Sequence, residues 1–371
     1  MSRHAITLFA LLALFLASVA LPGAKPARIA LAQAATPTPA AEEEAEPTEA
    51  EELEPQLVTA TVKADLVRPG RVLMSARGNH WIYDSVPPIN GPNEAVNPLD
   101  GLLGALISCG MYIYEAVAAE NLIALDHIAA RATGELDSRG VAGADVNPRL
   151  RAFHVTMIVE GPTPEEAWMM AEAFSRRCPI YTTLALSAPI SVTNVVYGER
   201  QEPFVTEAAP ITGEDAVEEM ELQLARPAVK GRLVERGRAL LSARGNHWIY
   251  DSVPPIKGPN EEVNPLDALV GALPACGVMI YEAAARENEI PLRAIDATVE
   301  ADLDPRGVAG ANVNPRIRAL RVTINVDGPT LEEAEFLAAE YSARCPIYAT
   351  LERSAPIEVT NVLMETELAE E

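Results

Sequence analysis

Histidine and cysteine are scarce in this chain of 371 residues, at five and four. The five His are scattered and no metal-ligand spacing is present, so a zinc or iron centre is excluded and no cofactor is expected. Basic residues are also few, 29 against 53 acids, for a net charge of −24. There is no basic cluster, which argues against nucleic acid or an anionic membrane as partner. The chain does have apolar material: 49% of its residues are hydrophobic, enough for packed cores. Its length suggests two domains. The acidity is concentrated. Residues 35–56, 199–225 and 365–371 carry a net −19 of the chain's net −24, so the remaining parts are only mildly acidic.

The N-terminus has the pattern of an export signal. Arg3 and His4 precede an apolar run from Ala5 to Leu21, and Pro22-Gly23-Ala24 follow. Small-x-small sites lie at Ser18-Val19-Ala20 and Ala32-Gln33-Ala34, and cleavage after Ala34 is expected, giving a signal peptide over 1–34. An uncleaved N-terminal anchor is the alternative. Either way the bulk of the protein is expected outside the cytoplasm. No Cys lies near the signal, which excludes lipoprotein attachment. Residues 35–56 are Ala, Thr, Pro and Glu, the composition of a disordered spacer.

The body of the chain is one unit written twice. Ser75–Ile89 reads SARGNHWIYDSVPPI, and Ser242–Ile256 is identical. The offset of 167 residues maps His80 to His247, Cys109 to Cys276 and Cys178 to Cys345. The repeats are assigned to 57–197 and 222–364, with an acidic linker over 198–221 and an acidic tail over 365–371. Within one repeat, 57–66, 71–76 and 81–86 read as strands, with Pro69-Gly70 as a turn. Asn97 is an N-cap with Pro98 at N1 and Asp100 at N3. The stripe Leu102, Leu106, Cys109, Ile113, Val117 then predicts a buried helix of about 20 residues. Segments 128–136 and 151–159 predict a hairpin around a Gly-rich loop. Thr163-Pro164-Glu165-Glu166 opens a capped helix to about Arg177, Cys178-Pro179 opens a short one, and 190–196 is a last strand. The order βββ-α-ββ-α-α-β is α+β, without the alternation of a parallel α/β sheet.

Chemistry rests on the cysteines, two per repeat and 69 residues apart. In an exported chain, permanent structural disulfides are one reading. Yet a core-facing Cys in mid-helix is an unusual staple. Cys178, at a helix start beside Arg176 and Arg177, is placed to form a stabilised thiolate.

The ordered motifs Gly91-Pro92-Asn93, Asn97-Pro98-Leu99-Asp100, Gly104–Cys109 and Arg177-Cys178-Pro179-Ile180-Tyr181 resemble the OsmC/Ohr family of osmotically induced and organic hydroperoxide resistance proteins. Asn264-Pro265-Leu266-Asp267, Leu273–Cys276 and Arg344-Cys345-Pro346-Ile347 repeat the resemblance. It implies an α+β fold, with the two repeats forming an intramolecular pseudo-dimer in place of an interlocked homodimer, and no need for a further oligomer. It implies that Cys109 pairs with Cys178, and Cys276 with Cys345. Cys109 and Cys276 are then peroxidatic and Cys178 and Cys345 resolving. The substrate is a small hydroperoxide and the reductant an unidentified thiol.

Several positions depart from the family pattern or carry no fixed role in it. Hydroperoxide-resistance members carry Glu two residues after the Asn, where this chain has Leu99 and Leu266. Asp100 and Asp267, one residue on, are candidate site carboxylates or plain helix caps. Arg77 and Arg244, inside the identical run, are the candidate thiolate-stabilising arginines. His80 and His247 are candidate bases or interface histidines, and Arg139 and Arg149 candidate residues of the pocket mouth. Pro274 replaces Ile107 two residues before the second Cys and is expected to kink that helix and weaken the second site. The alternative to a peroxidase is a non-catalytic binding or structural module on the same fold, with permanent disulfides.

Overall fold

The computed structural model describes residues 53–89, 91–208 and 221–364. The signal segment, nearly all of the acidic spacer, residues 209–220 and the acidic tail lie outside the described residues. The first repeat runs β1 (Val58–Arg68), β2 (Arg71–Ala76), β3 (Asn79–Asp84), α1 (Pro98–Glu120), β4 (His127–Asp137), β5 (Ala152–Glu160), α2 (Pro164–Arg177), α3 (Pro179–Leu184) and β6 (Ile190–Val196). Two short strands follow, β7 (Glu199–Arg200) and β8 (Phe204–Thr206), both paired with β6 inside the stretch read as linker. The second repeat runs β9 (Leu224–Ala225), β10 (Ala228–Glu235), β11 (Arg238–Ala243), β12 (Asn246–Asp251), α4 (Pro265–Glu287), β13 (Ala294–Leu303), β14 (Ala319–Asp327), α5 (Leu331–Arg344), α6 (Pro346–Leu351) and β15 (Ile357–Leu363).

Local chemistry accounts for these boundaries. The side chains of Asn97 and Asn264 accept from the backbone N–H of Asp100 and Asp267 at 2.9 and 3.0 Å, and Pro fills the first helical position, where no N–H is needed. Full capping boxes start α2 and α5, at Thr163/Glu166 and Thr330/Glu333. Gly70 takes φ +69 in the β1–β2 turn, the left-handed region that suits glycine.

The repeats exchange their first three strands. One sheet has the order β15-β14-β13-β1-β2-β3, so β1 of the first repeat pairs with β13 of the second. The other sheet contains β12-β11-β10-β4-β5-β6, where β10 of the second repeat pairs with β4 of the first. Neither repeat completes a sheet alone, so the tandem chain is an intramolecular pseudo-dimer. α1 and α4 pack on each other between the sheets. Trp248 and Trp81, from the identical runs, lie over Gly104 and Gly271 of the other repeat's helix. A Cβ at either glycine would approach the indole to 2.9 or 3.0 Å. The buried Tyr83 hydroxyl donates to the Ala268 carbonyl at 3.0 Å, across the same interface. Residues just before β1 are tied to the second repeat, since Gln56 N–H donates to Asp304 at 2.7 Å.

Pro274 does not interrupt its helix. α4 spans 23 residues, as does α1. Proline cannot donate a backbone hydrogen bond, and the carbonyl just before it, Leu273, accepts from the buried Tyr341 hydroxyl at 3.1 Å. The first repeat has Phe174 at Tyr341's position.

Candidate active site

Each cysteine pair joins mid-helix to helix start. Cys109 comes from α1. Cys178 ends α2 and caps α3, its sulfur accepting from the Tyr181 N–H at 3.4 Å. The two form a disulfide, with Cα atoms 6.3 Å apart. Cys276 and Cys345 occupy the equivalent places, and Cys345 accepts from the Tyr348 N–H at 3.3 Å. These two are free, buried thiols, with Cys345 a neighbour of Cys276. The Cys345 thiol beside it, together with burial, pushes the Cys276 thiol well above its ordinary value.

The sulfurs differ in access. Cys109 and Cys276 are each 9% exposed, whereas Cys178 and Cys345 are fully buried. The helix cysteines line cavities, of about 390 Å³ at Cys109 and about 640 Å³ at Cys276, and Cys178 and Cys345 line neither. Both repeats build each cavity. Arg77, Asn264 and Leu266 share the Cys109 cavity, and Arg244, Asn97 and Leu99 share the Cys276 cavity.

Arg77 and Arg244 sit in the β2–β3 and β11–β12 turns, each at φ +51. Each reaches a carboxylate of the other repeat: Arg77 pairs with Asp267 at 3.1 Å, and Arg244 with Asp100 at 3.0 Å. The structure therefore groups Cys109 and Cys178 with Arg77 and Asp267, and Cys276 and Cys345 with Arg244 and Asp100. Both aspartates are 1% exposed, and Oδ1 of Asp100 has no hydrogen-bond partner among the described residues. Burial pushes each to about 6, with the arginine pulling the other way.

A carboxyl raised in the fold from 3.8 to about 6 gives stability that is whole below the unfolded value and is lost as pH rises through 6. Replacing both by asparagine removes this dependence. Unfolding free energies from urea titrations at pH 4 to 8 should show the parent falling relative to the Asp100→Asn/Asp267→Asn variant, by at most about 3 kcal/mol per site. A gap that stays constant over this range would contradict the assignment.

Other sequence candidates lie elsewhere. Arg177 is held by Glu120 at 2.7 and 2.9 Å and by the Val308 carbonyl, and Arg176 is exposed beside Glu172. Neither is arranged as a thiolate partner for Cys178. His80 is exposed and bonds Ser75 at 2.8 Å, and His247 is also exposed; neither lines a cysteine cavity. Arg139 is clasped by Asp137, and neither it nor Arg149 lines the Cys276 cavity. Arg306, the counterpart of Arg139, does line the Cys109 cavity, where Asp304 holds it at 2.6 Å. The sequence reading missed the cavity walls: Val141 and Val308 in the repeated Gly-rich loops, and Tyr112 and Met279 on the helices. The repeat of RGVAGA in both loops was the available signal.

The family of OsmC-like proteins matches residues 91–193 and 258–360, and the chain belongs to it, as two tandem OsmC-like domains. Solved structures similar to it include an OsmC-like protein from Mycoplasma pneumoniae, at 19% identity, covering 39% of this chain and 100% of that one, with a TM-score of 0.34. An organic hydroperoxide resistance protein OsmC from Legionella pneumophila is 17% identical over 36% of this chain and 93% of its own, with a TM-score of 0.30. The organic hydroperoxide resistance protein OhrB of Bacillus subtilis is 19% identical over 37% and 96%, with a TM-score of 0.27. No curated protein matches.

Proposed function

We propose that this chain is an exported thiol-dependent peroxidase that reduces hydroperoxides at two composite sites. The observation that carries the reading is the order of access. In each repeat one sulfur faces a cavity that also holds an arginine, and its partner sulfur lies buried behind it. A hydroperoxide ROOH entering the cavity meets Cys109 or Cys276 first. The thiolate attacks one peroxide oxygen, the O–O bond breaks, and RO⁻ takes a proton and leaves as ROH. The cysteine is now a sulfenic acid. The thiol of Cys178 or Cys345 attacks that sulfur, the disulfide forms and water leaves. An external dithiol then reduces the disulfide and is itself oxidised to a disulfide. Arg77 and Arg244, which share the cavities of Cys109 and Cys276, are the positive charges available to a developing thiolate, and Asp267 and Asp100 hold them in place.

Such a cycle alternates between a disulfide, the form of Cys109 with Cys178, and a thiol pair, the form of Cys276 with Cys345. In the thiol pair the raised Cys276 keeps its proton, so its attack requires the proton to leave as the peroxide arrives. Steady-state loss of cumene hydroperoxide with dithiothreitol tests the reading. Many equivalents per chain are expected, and loss no faster than with dithiothreitol alone would overturn it. Export rests on the charged start and apolar run of residues 1–34. N-terminal sequencing of the secreted chain should begin at Ala35, and a chain confined to the cytoplasm would contradict export.

A further inference from the structure

The two cavities share most of their walls by the 167-residue offset; besides Arg306, which lines only the Cys109 cavity, three differences stand out. Tyr112 lines the Cys109 cavity, and its counterpart Met279 lines the Cys276 cavity. Tyr112 is 3% exposed and its hydroxyl donates to the Tyr250 carbonyl, which fixes the ring as a wall. Met279 is unbranched and flexible, and adapts to what lies against it. Pro305 faces the first cavity where Ser138 faces the second.

The third difference is in the backbone. β1 is continuous over Val58–Arg68. In the second repeat, Arg226-Pro227 interrupts the equivalent path between β9 and β10, since proline cannot donate to the ladder. Ala225 to Ala228 form part of the Cys276 cavity wall, while their counterparts in β1 do not line the Cys109 cavity. The result is about 640 Å³ against about 390 Å³.

We infer that the two sites divide hydroperoxides by size, Cys276 taking bulky apolar ones such as arylalkyl hydroperoxides and Cys109 small ones such as hydrogen peroxide, with residues 279 and 112 as the determinants. This rests on the peroxidase reading for its turnover but on the cavities alone for its binding. A bulky apolar group gains by leaving water only where the wall can accommodate it. The Tyr112 ring denies that space at Cys109, and Met279 yields it at Cys276.

The test uses the full chain in two backgrounds, Cys109→Ser to isolate the second site and Cys276→Ser to isolate the first. The ratio of kcat/KM for cumene hydroperoxide to that for hydrogen peroxide should be at least about tenfold higher at the second site. Met279→Tyr should lower that ratio about tenfold in the first background, and Tyr112→Met should raise it in the other. Equal ratios, or ratios that the swaps leave in place, would overturn the inference. A second readout needs no turnover. Calorimetric titration with 2-phenyl-2-propanol, the alcohol left by cumene hydroperoxide, should give one equivalent per parent chain, and Met279→Tyr or Met279→Phe should remove it. Two equal sites, no binding by the parent, or binding insensitive to residue 279 would also overturn the inference. Absent turnover with this one-site binding intact would sink the peroxidase reading and leave the size difference standing.

Discussion

Serine at both 109 and 276 is expected to abolish hydroperoxide reduction, by about a thousandfold or more, the scale on which losing a nucleophile acts. These are the two sulfurs that face the cavities, and the sulfurs behind them are fully buried. Serine keeps the volume but lacks a nucleophile with a thiol's acidity. Each single variant should keep the turnover of the other site, because the cavities are separate and α4 runs unbroken through Pro274. The sequence alone pointed to Cys109 as the dominant centre, on the expectation of a kinked α4. With Cys276 as exposed as Cys109 and lining a cavity of its own, we expect both sites to contribute. Peroxide loss for the two single and the double variants, with dithiothreitol, measures this. A double variant that still turns over would remove the cysteines from the chemistry.

Asp84→Ala is expected to destabilise the fold by about 2–4 kcal/mol, the cost of leaving buried N–H groups without their acceptor and Arg71 with Glu94 as its remaining partner. Asp84 is fully buried and takes both arms of Arg71 at 2.6 Å. It also accepts from the backbone N–H groups of Glu94 and Ala95 at 2.8 Å, so one carboxylate ties β2 and β3 to the approach into α1. These bonds hold its carboxyl below the usual range despite burial. Asp251 does the same for Arg238, Glu261 and Glu262 in the second repeat. Removing the carboxylate leaves the mostly covered Arg71 guanidinium with Glu94 alone, at 3.0 Å, and two N–H groups without their acceptor. Urea unfolding monitored by circular dichroism should show the loss, and a change under about 1 kcal/mol would contradict the role given to this residue.

Asn-Pro before an apolar stripe gave the start of both core helices, and Thr-x-x-Glu the start of α2 and α5, because caps are local and use side chains. The offset between copies made the cysteine pairing readable once the family resemblance was in view. The strand exchange was not legible in detail. β1 pairs with β13 through backbone groups that every sequence carries, so only the resemblance suggested interlocking. Arg177 misled for a related reason: it is adjacent to Cys178 in sequence, but Glu120, 57 residues away, takes its guanidinium. The joining of Arg77 to Asp267 and of Arg244 to Asp100 is likewise a product of the exchange, which brings one repeat's turn against the other's helix start. The two short strands at 199–206 were hidden because three or fewer residues carry no periodicity to read.

The measurement that bears most directly on the central claim is the stoichiometry of a single turnover. Chain fully reduced with dithiothreitol, freed of reductant, is given one equivalent of hydroperoxide per site, alkylated, digested and mapped by mass spectrometry. The account predicts one ROH released for each disulfide formed, with the disulfides joining Cys109 to Cys178 and Cys276 to Cys345. Hydroperoxide left intact beside four alkylated cysteines, or a Cys109–Cys178 bond that no dithiol opens, would make the cysteine pairs structural and contradict it.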